Sequence, residues 1–159
     1  MKAELMPNKF TCVGLLLVLS VAGLSCEIHT KLSIKGGNPP TFVMTGNGTL
    51  TSIRIRGHER QREAEGEEAS LYWVIKPEKG GAQIVGDIGS ITYGKVPEGY
   101  RQQYPENGEA PLLNEGEHYY VRVVTSNANG ADGYFMILKG QAIFAKYESE
   151  LPDEVKRNN

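Results

Sequence analysis

The side chains with the clearest potential for binding chemistry form an alternating basic run in the middle of the chain. Basic residues stand at every second position here: Arg54, Arg56, His58, Arg60 and Arg62. In an extended strand, residues two apart point to the same side, so these side chains would share one surface. Guanidinium groups bind carboxylates and phosphates through paired hydrogen bonds. The run predicts a candidate site for an anionic ligand, with Arg54, Arg56 and Arg60 as contacts.

Acidic residues close to this run support a second interpretation. Five glutamates lie within residues 59–68 and would offset much of the positive field: Glu59, Glu63, Glu65, Glu67 and Glu68. Charged side chains also protect exposed strands from edge-to-edge aggregation. The sequence leaves two alternatives open, an anion-binding surface and a solvated, charged hairpin.

A second group of candidate binding residues is aromatic. Tyr93, Tyr100 and Tyr104 occur within a proline-containing segment that includes Pro97 and Pro105. Tyrosine combines an apolar ring with a polar hydroxyl, which suits contacts with sugars or with protein surfaces. The alternative is that this long segment packs onto the sheet and buries the rings.

The sequence contains no motif that predicts catalysis or metal binding. Its three histidines, His29, His58 and His118, are not at metal-ligand spacing, and no H-E-x-x-H, C-x-x-C, G-x-S-x-G or P-loop sequence occurs. We therefore predict no catalytic residues, no metal and no cofactor. The enzymatic alternative is a site assembled in space from distant carboxylates, near Asp87 or Glu98 for example. The net charge of −2 gives no reason to expect a nucleic acid partner.

The first 25 residues are typical of a secretory signal peptide. Residues 10–24 are almost entirely apolar or small, and Lys2 and Lys9 precede them. This apolar stretch is shorter than the roughly 20 residues of a membrane-spanning helix. We predict a signal peptide over residues 1–25 and export of the remaining chain.

One cysteine remains beyond the predicted signal peptide. Cys12 lies inside the apolar stretch, so Cys26 has no partner for an intramolecular disulfide. The sequence Ala22-Gly23-Leu24-Ser25-Cys26 resembles the lipobox of bacterial lipoproteins. That resemblance implies that Cys26 becomes the acylated N-terminus and anchors the protein to a membrane, facing the periplasm or the cell exterior. The alternative is ordinary cleavage nearby, with Cys26 left as a free thiol.

The rest of the chain has the pattern of an all-β domain. Ile53 and Ile55 alternate with Arg54 and Arg56, as in a half-buried strand. About eight such short strands, separated by turn residues, predict a single antiparallel β-sandwich over residues 26–147. Three further assignments are a strand at 83–85, a polar loop at 102–111 and a charged flexible tail at 148–159.

The C-terminal third resembles the end of a fibronectin type III domain. The positions that carry this resemblance are Leu113, Tyr119, Val121, Val123, Asn127 and Gly130. It implies an immunoglobulin-like or fibronectin type III-like sandwich with a tyrosine corner at Tyr119, whose hydroxyl fixes the incoming loop. The apolar sequence around Trp73 predicts a second structural residue, in the core.

Together these observations predict an exported, lipid-anchored protein of the cell envelope with a noncatalytic binding or structural role. Its partners would be the membrane, through Cys26, and an envelope protein or glycan. The alternatives are an accessory subunit that acts as a spacer in an envelope complex, an anion-binding module that uses the arginine-rich strand, and the carboxylate enzyme described above.

Overall fold

The computed structural model describes residues 29–57 and 71–152. The signal peptide, Cys26, His58, Arg60 and residues 153–159 lie outside the described residues, so the predictions made for them stay predictions. Among the described helices, none is long and apolar enough to cross a membrane.

The described residues form nine strands, one short helix and one 3-10 turn. In chain order these are β1 (Lys31–Lys35), β2 (Thr41–Thr45), β3 (Thr49–Gly57), β4 (Leu71–Pro77), α1 (Val85–Ile88), β5 (Ser90–Thr92), β6 (Tyr100–Tyr104), β7 (His118–Ser126), β8 (Ala131–Leu138), β9 (Gln141–Ala145) and the 3-10 turn Glu148–Glu150.

The strands form two antiparallel sheets and confirm the predicted all-β sandwich. One sheet has the order β1-β2-β5, and the other has the order β6-β4-β3-β7-β8-β9. This order is compatible with an immunoglobulin-like sandwich, in which strands A, B and E face strands C, F and G.

The core lies between the two sheets and follows the alternation seen in the sequence. Ile53 and Ile55 of β3 are fully buried and stand opposite Val123 and Val121 of β7. From the smaller sheet, Phe42 contacts Phe135 edge-to-face with ring centroids 5.8 Å apart. The predicted strand face of β3 is therefore confirmed, and its arginines lie on the side away from the core.

Two local assignments from sequence differ from the structure. Residues 100–104 form β6, although we predicted a polar loop from residue 102 onward. Gln102 in this strand accepts a hydrogen bond from Nε1 of the buried Trp73, at 2.9 Å. The predicted strand at 83–85 makes only one isolated bridge, from Ile84 to Thr49, before α1 begins. In both segments, tertiary hydrogen bonds rather than apolar alternation decide the conformation.

The C-terminal segment continues beyond residue 147, where we placed the end of the domain. After the 3-10 turn, Leu151 is buried and packs with Met136 and Ala145 on the outer side of the larger sheet. His118 Nδ1 lies 3.4 Å from Glu148 Oε1 and joins the same segment to β7. The segment therefore covers part of the outer face formed by β8 and β9.

Candidate anion-binding face

The candidate site lies on the face of the six-stranded sheet that points away from the core. Arg54 and Arg56 point to this side because Ile53 and Ile55, the residues that alternate with them, are buried in the core. Arg122 of β7 points the same way because it stands between Val121 and Val123. The fold thus adds a third arginine to the two that the alternating run contributes within the described residues.

The central feature of this face is a pair of like charges on neighbouring strands. Arg54 and Arg122 are directly opposite each other in the β3–β7 ladder. The Cβ atoms of such cross-strand pairs lie about 4.5–5.5 Å apart, and like charges at this spacing are destabilising. Among the described residues, neither arginine forms an ion pair within 4.0 Å. An anion bound between them would remove this repulsion.

The nearest acidic residue in the ladder is engaged elsewhere. Asp132 of β8 is directly opposite Arg122. Its Oδ2 accepts a hydrogen bond from the hydroxyl of Tyr120 at 3.0 Å. Burial and this carboxylate raise the pKa of Tyr120 to about 12, so its hydroxyl stays protonated and donates at neutral pH. This bond engages one oxygen of Asp132, and among the described residues Asp132 and Arg122 form no ion pair within 4.0 Å.

Tyrosine rings lie alongside the arginines. Tyr120 is opposite Arg56 on one side and Tyr134 on the other, and the two tyrosine ring centroids are 5.1 Å apart. Tyr104 of β6 is opposite Val74, which in turn is opposite Arg54. We call this surface the arginine–tyrosine face; its members are Arg54, Arg56, Arg122, Tyr104, Tyr120 and Tyr134.

A small cleft adjoins one end of this face. Its volume is about 210 Å³, and its lining residues are Leu71, Tyr72, Tyr104, Pro111, Leu112 and Asn114. Leu71 connects it to the arginines, since Leu71 is directly opposite Arg56. Leu112 is 87% exposed. The cleft is therefore open to solvent, and polar and apolar groups both line it.

The three tyrosines that we proposed as ligand contacts occupy different environments. Tyr93 is buried, packs against Trp73 at 5.4 Å between centroids, and donates a hydrogen bond to the carbonyl of Pro111 at 2.7 Å. Tyr100 is also buried, and its hydroxyl donates to the carbonyl of Leu50. These two rings fit the packing alternative, and Tyr104 alone of the three lines the cleft.

The two residues predicted to be structural lie in the core. Trp73 is fully buried. Tyr119 is also fully buried; its hydroxyl accepts a hydrogen bond from the backbone N–H of Asn114 and donates one to Glu117, each at 2.8 Å. A hydroxyl that binds the backbone of the preceding loop is the defining contact of a tyrosine corner.

Sequence reasoning missed Arg122, Tyr120 and Tyr134 as members of the site. Their alternation with buried residues in β7 and β8 was the available signal. Alternation predicts on which side of the sheet each side chain lies. It does not predict which side chains lie beside it, because that depends on strand pairing. Among the described residues, no three histidine, cysteine or acidic side chains are grouped in a way that could hold a metal ion.

Comparisons of the chain with protein families, with curated proteins and with solved structures found no match.

Proposed function

We propose that this protein is an exported, lipid-anchored β-sandwich that binds an anionic ligand of the cell envelope on its arginine–tyrosine face. The predicted signal peptide and the lipobox resemblance at Cys26 support the location. The opposed arginines support the binding role. The acylated Cys26 would attach the protein to the membrane. The sheet would bind the anionic ligand without catalysing a reaction.

The observation that carries the binding role is the placement of Arg54 opposite Arg122. Two adjacent guanidinium groups present several hydrogen-bond donors to one carboxylate or phosphate. Their repulsion costs stability in the free protein, so an anion that relieves it gains affinity. Asp132, the acidic residue opposite Arg122, accepts a hydrogen bond from Tyr120 and forms no ion pair within 4.0 Å with Arg122 among the described residues.

Removing both arginines is expected to weaken anion binding. For an Arg54→Gln/Arg122→Gln double variant, we expect the dissociation constant for polygalacturonate, a carboxylated polymer, to rise at least about tenfold, which corresponds to about 1.4 kcal/mol. The physical reason is the loss of the charge-assisted hydrogen bonds that the two guanidinium groups donate to the ligand. Isothermal titration calorimetry at low and at physiological ionic strength measures this effect.

A matched control removes the same charge from the other sheet. Lys31 and Lys35 are exposed on β1, so a Lys31→Gln/Lys35→Gln variant has the same net charge as the arginine variant. We expect it to bind polygalacturonate nearly as tightly as the wild type. Equal weakening in the two double variants would show that net charge alone governs binding, and it would overturn the proposed site.

The anchoring part of the proposal predicts a defined covalent product. In a bacterial host, the mature protein is expected to have the intact mass of the chain from Cys26 plus acyl groups, and to partition with membranes. A Cys26→Ser variant should lose both properties because acyl chains provide the membrane affinity. Intact-mass spectrometry and membrane fractionation measure the two properties.

Cys12 provides the control for this experiment. It lies within the predicted signal peptide, so Cys12→Ser should leave the acylated mass and the membrane partitioning unchanged. A soluble wild-type product with a free thiol at Cys26 would refute the anchor, and it would leave the anion-binding proposal to be judged by the arginine variants.

A further inference from the structure

The cleft and the arginines together define the ligand more narrowly than either does alone. The cleft of about 210 Å³ is smaller than the roughly 300–1,000 Å³ of pockets that enclose drug-sized molecules. It therefore has room for one ring of a ligand, not for a whole oligomer. The Tyr104 ring and the leucines in its lining suit the C–H-rich face of a sugar, while the polar part of the lining, which includes Asn114, suits its hydroxyl groups.

The separation of cleft and arginines sets the length of the ligand. The residues Tyr104, Val74, Arg54 and Arg122 follow one another across four adjacent strands. Because neighbouring strands are about 4.8 Å apart, Arg54 and Arg122 lie roughly 10 and 14 Å from Tyr104 along the sheet. A ligand that occupies both places must extend across several strands and carry its acidic groups away from the ring in the cleft.

The direction of this path favours a glycan over a peptide. Peptides that bind sheets usually add a strand to a free edge and gain main-chain hydrogen bonds. The path from Tyr104 to Arg122 instead crosses β4, β3 and β7, whose backbone groups already pair with one another in the described sheet. Val74, in the middle of this path, is only 6% exposed, so an occupant meets mainly the side chains of Tyr104, Arg54 and Arg122. Rings and acidic groups therefore provide its recognition.

We propose that the ligand of the arginine–tyrosine face is an acidic oligosaccharide, with one sugar ring in the cleft against Tyr104 and its carboxylate or phosphate groups at Arg54 and Arg122. This inference rests on the proposed function, since it assigns a chemical class to the ligand of the same site. The sugar ring and the acid groups contribute separately, because they contact different residues.

Three defined probes separate these contributions. Hexagalacturonate carries both sugar rings and carboxylates, maltohexaose carries rings without charge, and hexaglutamate carries charge without rings. We expect the wild-type protein to bind hexagalacturonate at least about tenfold more tightly than either of the other two. Titration calorimetry with the purified chain measures all three dissociation constants.

Variants of Tyr104, the ring in the cleft, complete the test. Tyr104→Ala is expected to weaken hexagalacturonate binding several-fold and to leave hexaglutamate binding unchanged. Tyr104→Leu, which keeps an apolar side chain, should give the same result if the ring itself is the contact. The matched control is Tyr147→Ala, because Tyr147 is an exposed tyrosine near the C-terminal 3-10 turn and outside the cleft.

The outcomes distinguish this inference from the proposed function. If the Arg54→Gln/Arg122→Gln variant weakens hexagalacturonate binding and the Tyr104 variants do not, the anion site stands and the glycan assignment fails. Tighter wild-type binding of hexaglutamate would likewise overturn it in favour of an acidic peptide. If the arginine variant binds all probes as the wild type does, the proposed function itself fails.

Discussion

Replacing Trp73 by alanine is expected to lower the free energy of unfolding by about 3–5 kcal/mol. The indole ring is fully buried, contacts Tyr93 edge-to-face, and donates a hydrogen bond to Gln102. Alanine would leave a cavity between β4 and the Tyr93 ring, and it would remove the donor that fixes β6 to β4. Domains of this size are commonly stable by about 5–15 kcal/mol, so the variant would lose a large part of its stability.

Urea unfolding followed by far-ultraviolet circular dichroism measures this loss. Tryptophan fluorescence is unsuitable because the chain contains a single tryptophan. The control is Leu112→Ala, which removes a side chain that is 87% exposed and should change stability by no more than about 0.5 kcal/mol. A loss below about 1 kcal/mol for Trp73→Ala would contradict the central packing role of the indole ring.

Tyr119→Phe is expected to destabilise the protein by about 1–3 kcal/mol although it removes only one oxygen atom. The hydroxyl makes two hydrogen bonds, with the N–H of Asn114 and the carboxylate of Glu117. The variant leaves both groups without this partner, while the ring keeps its stacking on Phe135 at 5.2 Å. The same urea titration measures the effect.

The adjacent residue offers a matched control for this substitution. Tyr120→Phe also removes one hydroxyl, but its hydrogen bond to Asp132 lies at the exposed surface. For Tyr120→Phe we expect the free energy of unfolding to fall by less than about 1 kcal/mol, because water can replace the hydroxyl as the hydrogen-bond partner of Asp132. Equal losses at the two positions would show that the tyrosine corner contributes nothing specific to the fold.

The Tyr119 hydroxyl also makes the free energy of unfolding depend on pH in the alkaline range. Burial is the main cause that raises the pKa of Tyr119 above its ordinary value of about 10, and burial also raises the pKa of Tyr93. Above about pH 10, the unfolded chain loses protons that these folded residues retain, so the free energy of unfolding falls as pH rises. In Tyr119→Phe one such residue is absent, and we expect a shallower fall between pH 10 and 11.

The alternating apolar residues were sufficient to predict which side of each long strand faces the core. Ile53 and Ile55 in β3, and Val121 and Val123 in β7, are buried as this pattern predicts. The spacing of Leu113 and Tyr119 likewise indicated the tyrosine corner, because that contact forms within one loop and one strand. These features depend on local chain geometry, which a single stretch of sequence contains.

Segments held by distant partners could not be predicted in this way. The polar sequence of β6 has no apolar alternation, yet Gln102 is fixed by the indole of Trp73. Tyr93 and Tyr100 looked like surface aromatics because they lie in a proline-containing segment, but each is buried and donates a hydrogen bond to a backbone carbonyl. In each of these cases the deciding partner lies outside the local sequence pattern.

The sequence by itself determined the all-β class, the core-facing residues of the long strands and the presence of an arginine-rich strand. Only the tertiary structure placed Arg122 opposite Arg54, paired Asp132 with the hydroxyl of Tyr120, and brought Tyr104 to a cleft beside the same face. The physical reason is that alternation fixes the side of the sheet on which a side chain lies, whereas its neighbours on that side depend on which strands pair and in which register.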